Sequence, residues 1–314
     1  MDRITLMETF LRVVDGGSFA EAARKGGVSR AAVSKYIDLL EEHLGIRLLN
    51  RTTRRLHLTA EGEIYAQRCR KILEEINDAE QTVTLLHGAP RGLLRVSAPM
   101  SFGILHLAPA IADFLLAFPG IKIDLALNDR FVDLVEEGFD VAVRIGALEN
   151  STLVARRLAS ARLVLCASPG YVVRHGQPMT PEELTRHACL LYSYTLTPTI
   201  WRFFHGGEER SVRINGPLQA NNGDAVRAAA RAGVGVAILP DFLIEGDLEA
   251  NTLMALLPEF DMPPVGVYAV YPANPHISAK VRKFIDFLLD RFDKKSGWRT
   301  TGDPLPPDSQ EVTP

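Results

Sequence analysis

Ser18-Phe19-Ala20-Glu21-Ala22-Ala23-Arg24-Lys25-Gly26-Gly27-Val28-Ser29-Arg30-Ala31-Ala32-Val33-Ser34-Lys35 is the stretch on which the fold of this chain turns. Ser18 with Glu21 three residues on matches a capping box, in which the serine oxygen takes the N3 amide and the glutamate reaches back to the cap amide. A short helix follows, turning Phe19, Ala22 and Ala23 inward and stopping at Gly26-Gly27, where glycine supplies the left-handed residue of a tight turn. Ser29 caps the next helix, which runs to about Leu44 and ends at Gly45. Val33, Ile37, Leu40 and Leu44 form its inward stripe, so Arg30, Ala31, Ser34, Lys35 and Asp38 face out. Upstream, Ile4, Leu6, Met7, Phe10, Val13 and Val14 give a first helix that Asp15-Gly16-Gly17 ends.

Two short helices joined by a glycine turn make a helix-turn-helix, although an αα-hairpin of another helical domain shares the local pattern. The next segment favours DNA. Four arginines (47, 51, 54, 55) fall within nine residues that hold no acid, and Leu56 and Leu58 alternate about His57 as a short strand does. The arginine-rich segment therefore reads as the wing of a winged helix-turn-helix lying along phosphates. Candidate DNA contacts are Ser29, Arg30, Ala31, Ser34 and Lys35 on the recognition helix, with Arg51, Thr52 and Arg54 on the wing. The short Ala31 and Ser34 let the helix sit deep enough for Arg30 and Lys35 to reach base edges, while the wing arginines supply sequence-independent affinity through counterion release.

The chain as a whole argues mildly the other way. Its 314 residues carry a net charge of -3, and a generic DNA binder is basic. Residues 24–57, however, hold eight Lys/Arg against three acids, an excess of five that leaves -8 elsewhere. The length suits about two domains. Cys69, Cys166 and Cys189 form no Cys-x-x-Cys pair, and no metal or cofactor motif is present. Met1-Asp2-Arg3 opens on an amphipathic stretch rather than a secretory signal, and no uninterrupted apolar run approaches the ~18 residues of a membrane helix, so a cytoplasmic protein is expected.

Thr59 caps a further helix, in which Tyr65, Cys69, Ile72, Ile76, Ala79, Val83 and Leu86 follow a heptad spacing. The stripe reads either as a dimer seam or as one amphipathic helix packed on its own domain; two-fold half-site recognition favours the seam. Cys69 is then a small buried hydrophobe. Beyond Gly88-Ala89-Pro90-Arg91-Gly92, strand and helix patterns alternate: 94–98, a helix near 103–118, 121–128, a short helix near 132–137, and 140–145. A second set includes strands at 163–167, 201–204 and 211–215 and a helix near 223–232, and a strand at 265–271 and a helix at 278–292 close the domain. This is the pattern of doubly wound α/β lobes, the chain crossing near Ala161 and returning near Pro264.

Ligands of such sheets sit at strand carboxyl ends and helix N-termini. Met100, Ser101 and Phe102 at one strand-to-helix corner, Asn128 and Arg144 at strand ends, and Asn222 before a helix are the candidate effector contacts. A guanidinium at Arg144 suits bidentate carboxylate binding; the alternative is a structural ion pair between lobes, with Ser101 a plain N-cap. Enzyme signatures are missing: there is no Gly-x-Ser-x-Gly elbow, Walker loop or His-Glu-x-x-His, and Gly233-Val234-Gly235 lacks the third glycine of a dinucleotide loop. The scattered histidines leave a dispersed catalytic set open, but a transferase or dehydratase on such a two-lobed fold would leave residues 1–62 without a purpose, and a solute-binding protein would need export.

Ser18-Phe19-Ala20-Glu21-Ala22-Ala23, Val28-Ser29, Val33-Ser34, Leu40-Glu41, Leu44-Gly45-Ile46-Arg47-Leu48-Leu49, Arg51 and Leu58-Thr59-Ala60-Glu61-Gly62 together resemble the N-terminal signature of the LysR-type transcriptional regulators. Asn50, and Arg30-Ala31 in place of a more usual Gln-Pro or Gln-Ser, depart from that pattern and bear on base preference. Asn222-Gly223-Asp224 through Pro240 is the best-matching part of the remainder. The resemblance implies an α/β protein with an N-terminal winged helix-turn-helix (1–60), a long linker helix for dimerisation (61–88) and a two-lobed, periplasmic-binding-protein-like (type 2) effector domain (91–293), with lobe 1 at 91–161 and 265–293 and lobe 2 at 162–264. It implies no enzyme and no cofactor, and as partners double-stranded promoter DNA, a small-molecule effector, a second copy in a homodimer or homotetramer, and RNA polymerase, with no membrane. Residues 294–314, rich in Pro, Asp and Ser, read as a disordered tail.

Overall fold

The structure is a computed structural model that describes residues 2–51, 56–84, 90–146, 153–195, 197–273 and 277–293, with the backbone alone at 51, 74–75 and 77–84. The segment 294–314 lies outside the described residues. The chain divides into two units, Met1–Ala89 and Pro90–Pro314.

The first unit consists of α1 (Arg3–Gly16), α2 (Phe19–Gly26), α3 (Arg30–Leu44), β1 (Leu49–Arg51), β2 (Leu56–Leu58) and α4 (Ala60–Thr84). Gly17, Gly27 and Gly45 cap the first three helices at φ of 63° to 69°, a conformation that costs a side chain and is free to glycine. Phe10, Val13, Val33, Ile37, Leu40 and Leu48 are fully buried and form the centre of the core. Ser18 Oγ accepts the Glu21 N–H at 3.1 Å, but the other half of the expected capping box is not made. The Glu21 carboxylate turns instead to Arg24 at 2.6 Å, because a cation one turn on offers a charge-assisted bond that a neutral amide does not.

β1 and β2 form an antiparallel hairpin that pairs Arg51 with Leu56. Its tip, which carries Thr52 and Arg54, and the Arg51 side chain lie outside the described residues. Glu41 Oε1 accepts the amides of Leu48 and Leu49 at 2.8 and 3.1 Å, fastening α3 to the hairpin. Thr59 Oγ1 accepts the Gly62 N–H at 2.9 Å and donates to the Arg47 carbonyl at 2.8 Å, so the cap of α4 is also a clasp on that segment.

The heptad stripe of α4 divides. Tyr65 and Cys69 pack into their own domain, with the Tyr65 ring 5.7 Å from Phe10 and Cys69 fully buried. Ile64 and Ile72 are the exposed apolar residues of the same stretch, at 63% and 40%. The side chains of Ala79 and Val83, and all of Leu86, lie outside the described residues. The first turns thus follow the amphipathic-helix alternative, because α1 already occupies the face a seam would need.

The second unit holds two five-stranded sheets. Lobe 1 is built from β3 (Gly92–Ala98), α5 (Met100–Phe102), one π-helical turn (Gly103–Leu107), α6 (Ala108–Ala117), β4 (Ile121–Leu127), α7 (Leu134–Glu137), β5 (Val141–Ile145) and β6 (Leu153–Ala161). Lobe 2 follows with β7 (Leu163–Ala167), α8 (Pro169–His175), a 3-10 turn (Pro181–Arg186), β8 (Cys189–Tyr192), β9 (Ile200–His205), β10 (Glu208–Arg213), β11 (Leu218–Ala220), α9 (Gly223–Arg231), β12 (Val236–Pro240), α10 (Asp241–Glu249) and β13 (Met254–Ala255). The chain then returns to lobe 1 as β14 (Val265–Pro272) and α11 (Ala279–Asp293). The sheet orders are β4-β3-β5-β14-β6 and β11-β8-β12-β7-β13.

β3 runs parallel to β4 and β5, whereas β14 is antiparallel to both β5 and β6, so the lobe 1 sheet is mixed. β9 and β10 form a hairpin of their own, which places two of the expected strands outside the lobe 2 sheet. The helix expected near 103–118 begins earlier, at Met100, because the Asp129 side chain accepts the Met100 N–H at 2.8 Å. The stretch Met100–Ala117 is long and apolar enough to cross a membrane by composition, yet it buries Phe102, Leu107, Ala110, Ile111 and Phe114 in the lobe 1 core with Phe284 and Leu288 of α11.

Gly62 faces the tightest approach in the first unit: a Cβ there would overlap the Leu48 carbonyl oxygen. Gly62→Ala is expected to cost about 1–3 kcal/mol, as overpacking does, and to lower the thermal unfolding midpoint of the first unit, followed by circular dichroism.

Candidate functional site

Two surfaces answer to the candidate residues. On the first unit, the Ser29 hydroxyl accepts the Ala32 N–H at 3.1 Å and so fixes where α3 begins. Ser29, Arg30, Ala31 and Lys35 are exposed and Ser34 is half-exposed, while Val33, Ile37 and Leu40 on the opposite side are fully buried. The outward face of α3 is thus short-chained at Ala31 and Ser34 and flanked by two cations, a shape that fits a major groove.

The second surface is the corner where β3 meets α5. Ser101, 8% exposed, donates from Oγ to Asp224 Oδ2 of lobe 2 at 2.6 Å. The Met100 amide donates to Asp129 Oδ1 at 2.8 Å, and Asn222 of lobe 2 donates from Nδ2 to Asp129 Oδ2 at 2.7 Å. Asn222 Oδ1 also caps α9 by accepting the Ala225 N–H at 3.1 Å. A Cβ at Gly223 would crowd Leu243 of α10 at 3.0 Å, whereas 3.6 Å to Ser101 Oγ is an ordinary contact, so the glycine serves packing within lobe 2. Met100, Ser101 and Asn222 therefore meet, and they meet around carboxylates that belong to the chain itself.

The other three candidates lie around this corner. Asn128 continues the turn, donating its N–H to the Ala98 carbonyl at 2.9 Å and accepting the Arg130 N–H on Oδ1 at 2.9 Å. Phe102 is fully buried and points the other way, its ring 5.4 to 5.7 Å from those of His106, Phe242 and Phe292. Arg144 makes neither a carboxylate pair nor an inter-lobe ion pair among the described residues. It donates to the main-chain carbonyls of Val132 at 2.6 Å and Arg130 at 3.3 Å, with its guanidinium 5.0 Å from the centre of the Phe131 ring. Burial holds its pKa below the ordinary arginine value, opposed by Glu137 and abetted by Arg130. Arg144 thus ties the segment that follows Asp129 to β5.

Asp129 and Asp224 are the residues that sequence reasoning missed. Each carried a local signal: Asp224 lies in the first turn of α9 and Asp129 directly follows a candidate, at the mouth of the helix that starts at Met100, where the macrodipole favours an anion. Elsewhere, a depression of about 650 Å3 on lobe 2 is lined by Ser168, Arg174, Arg231 and Asn251. Its cations are engaged, Arg174 with the Gly233 carbonyl at 2.9 Å and Arg231 with Asp247 at 3.2 Å. Burial pushes the thiols of Cys166 and Cys189 up to about 12, which suits packing rather than reactivity. Among the described residues no group of three His, Cys, Asp or Glu could hold a metal.

Comparison with known proteins bears on both surfaces. The profile described as bacterial regulatory helix-turn-helix protein, lysR family, matches residues 4–63, and that described as LysR substrate binding domain matches residues 87–293. An uncharacterised helix-turn-helix transcriptional regulator of Haemophilus influenzae is 36% identical over 90% of this chain and 98% of its own. The regulator CrgA of Neisseria meningitidis is 35% identical over 90% and 95%. A structure of CrgA, titled a LysR-type transcriptional regulator, superposes with a TM-score of 0.59 at 34% identity, covering 93% of this chain and 99% of that one. The Vibrio cholerae virulence activator AphB gives a TM-score of 0.59 at 31% identity over 92% and 99%.

The lobe 2 side of the corner is held by one buried acid. Asp247 of α10, 3% exposed, accepts from Arg227 Nε and from Thr252 Oγ1 at 2.7 Å and forms an ion pair with Arg231 Nε at 3.2 Å, so α9 is tied to α10 behind Asn222 and Asp224. Burial alone would raise its pKa, but the bonds from Arg227 and Thr252 and the charges of Arg227 and Arg231 outweigh that and hold it below the usual carboxylate value. A carboxyl with a depressed folded-state pKa contributes stability that is present above its unfolded pKa and lost as pH falls through the folded one. Asp247→Asn is expected to cost about 1–3 kcal/mol at neutral pH by removing the charge that half-buried Arg227 and exposed Arg231 share, with the gap from the unsubstituted protein narrowing as pH falls; urea titrations at neutral and acid pH check it.

Proposed function

Because the chain belongs to the LysR-type transcriptional regulators, a family of regulators and not of enzymes, we propose that it reads promoter DNA with α3 and answers to a small acidic effector held between the lobes of its second unit. The observation that carries the reading is the outward face of α3, where Arg30 and Lys35 flank Ala31 and Ser34 above a fully buried Val33-Ile37-Leu40 stripe. A guanidinium and an ammonium at that spacing suit guanine edges, and the short side chains between them let the helix enter the groove. Arg51, Thr52 and Arg54 complete the interface on the phosphates. Acting on chromosomal DNA, the protein works in the cytoplasm and influences RNA polymerase from its bound site.

Binding as a homodimer places two recognition helices about one helical turn apart. The seam is α4, and Ile72 rather than Cys69 begins its exposed part. Tetramers assemble from such dimers. The effector site is the Met100-Ser101 corner with Asn128 and Asn222, and Arg144 fixes the loop beneath it. Support for a carboxylate effector comes from the donors themselves: the Met100 amide, the Ser101 hydroxyl and the Asn222 amide each already donate to a carboxylate oxygen. The effector shifts the relative disposition of the lobes and, with it, the population of DNA-competent dimers.

Electrophoretic titrations against specific and random duplexes test the DNA half. Arg30→Ala or Lys35→Ala is expected to relax sequence preference at one or two positions by about 1–3 kcal/mol each, whereas Arg51→Ala or Arg54→Ala weakens all duplexes alike and flattens the salt slope by about one. Absence of duplex affinity at low salt in the unsubstituted protein would overturn the reading. In a reporter assay, Arg144→Ala is expected to abolish the response to an organic acid while leaving the thermal midpoint within a few degrees.

A further inference from the structure

We propose that Asp129 and Asp224 are built-in stand-ins for the effector, and that the ligand of the Met100-Ser101 corner is a short dicarboxylic acid that enters by displacing both. The proposal rests on the effector reading above and adds to it the number of acidic groups on the ligand and the residues it competes with.

The corner offers two anion positions. One is formed by the Met100 amide and the Asn222 side-chain amide, and the Asp129 carboxylate fills it with an oxygen on each donor, at 2.8 and 2.7 Å. The other is the Ser101 hydroxyl, filled by Asp224 at 2.6 Å. Met100 and Ser101 are consecutive, so their Cα atoms lie about 3.8 Å apart and the two positions fall within the span of a three- to five-carbon diacid. The first position also faces the start of an unbroken helical run, Met100–Ala117, whose dipole favours a negative group whichever molecule supplies it.

The occupants are placed to leave. Asp224 stands in the first turn of α9 with 44% of its side chain exposed, and Arg227 Nη1 lies 3.7 Å away as an alternative partner. Asp129 sits in the turn after β4, half-exposed, next to the Asn128 turn that Arg144 steadies from below. A carboxylate that gives up its place regains water or an arginine, while the ligand takes over donors already aimed at an anion. Both internal contacts to lobe 2 join the two lobes, so the exchange also replaces inter-lobe bonds made by the chain with bonds made by the ligand.

Calorimetric titration of the intact protein with succinate, and with butyrate as the single-acid control, tests this. Succinate is expected to bind about tenfold more tightly than butyrate, the difference one charge-assisted contact makes. Asp224→Ala removes the competitor for Ser101 and is expected to tighten succinate several-fold, Asp129→Ala to do likewise at the other position, and Ser101→Ala to weaken it. Asp224 is exposed enough for its variant to fold, and thermal midpoints verify that for all three. Equal affinity for butyrate, no binding of succinate by any of the proteins, or aspartate variants that fold yet bind succinate no better would overturn the proposal. Duplex affinity measured on the same preparations separates the outcomes: proteins that bind DNA but fail these titrations refute the diacid and leave the regulator reading standing.

Discussion

One strand ties the second unit together. β14 lies between β5 and β6 in the lobe 1 sheet, although more than a hundred residues of lobe 2 intervene between it and β6. Val267 and Ala269 on it are fully buried in the lobe 1 core, as is Phe284 on the helix that follows. Lobe 1 cannot close its sheet until the chain has left, built lobe 2 and come back. Two crossings between the same pair of lobes are the result, and two crossings leave the lobes free to differ in angle but not to separate.

The inter-lobe corner inherits its properties from that arrangement. Polar groups from both lobes are brought to one place by backbone connectivity, so they must be satisfied there by each other, by water or by a ligand. Asp129 and Asp224 satisfy them in this state. The pairing of Asp247 with Arg227 and Arg231 ties α9 to α10 behind the contact. The negative charge of the chain belongs with this machinery and not with the reading head. An overall charge of -3 conceals a basic stretch at 24–57, which residues 1–23 and 58–89 offset so that the first unit nets zero, and the -3 is that of residues 90–314.

Legibility in the sequence followed the range of the forces involved. α1 to α3 could be read nearly to the residue because caps and left-handed glycines act over three or four positions, and Ser18, Ser29, Gly17, Gly27 and Gly45 perform those local tasks. Where two local partners competed, pattern was not enough: Glu21 matches a capping box but bonds Arg24, and the α4 heptad does not reveal that Tyr65 and Cys69 face α1. β8, β11 and β13 are two to four residues long and held by their neighbours, so no period marks them. β9 and β10 look like sheet strands but pair with each other, β9 adding one bridge from Phe204 to Asp261, and join neither five-stranded sheet. At the corner, types of donor were visible, but the acids that meet them come from 29 and 123 residues away along the chain, and no spacing rule connects Met100 to Asp129 or Ser101 to Asp224.

Reading of a two-fold DNA site by α3 leaves its mark on the DNA that is bound. Sequencing the duplexes that the intact protein retains from a random pool at physiological salt tests it most directly. A symmetric dimer is expected to enrich a sequence with dyad symmetry, its half-sites centred about one helical turn apart, or a multiple of it. A retained pool indistinguishable from the input, or an enriched motif without symmetry, would contradict it.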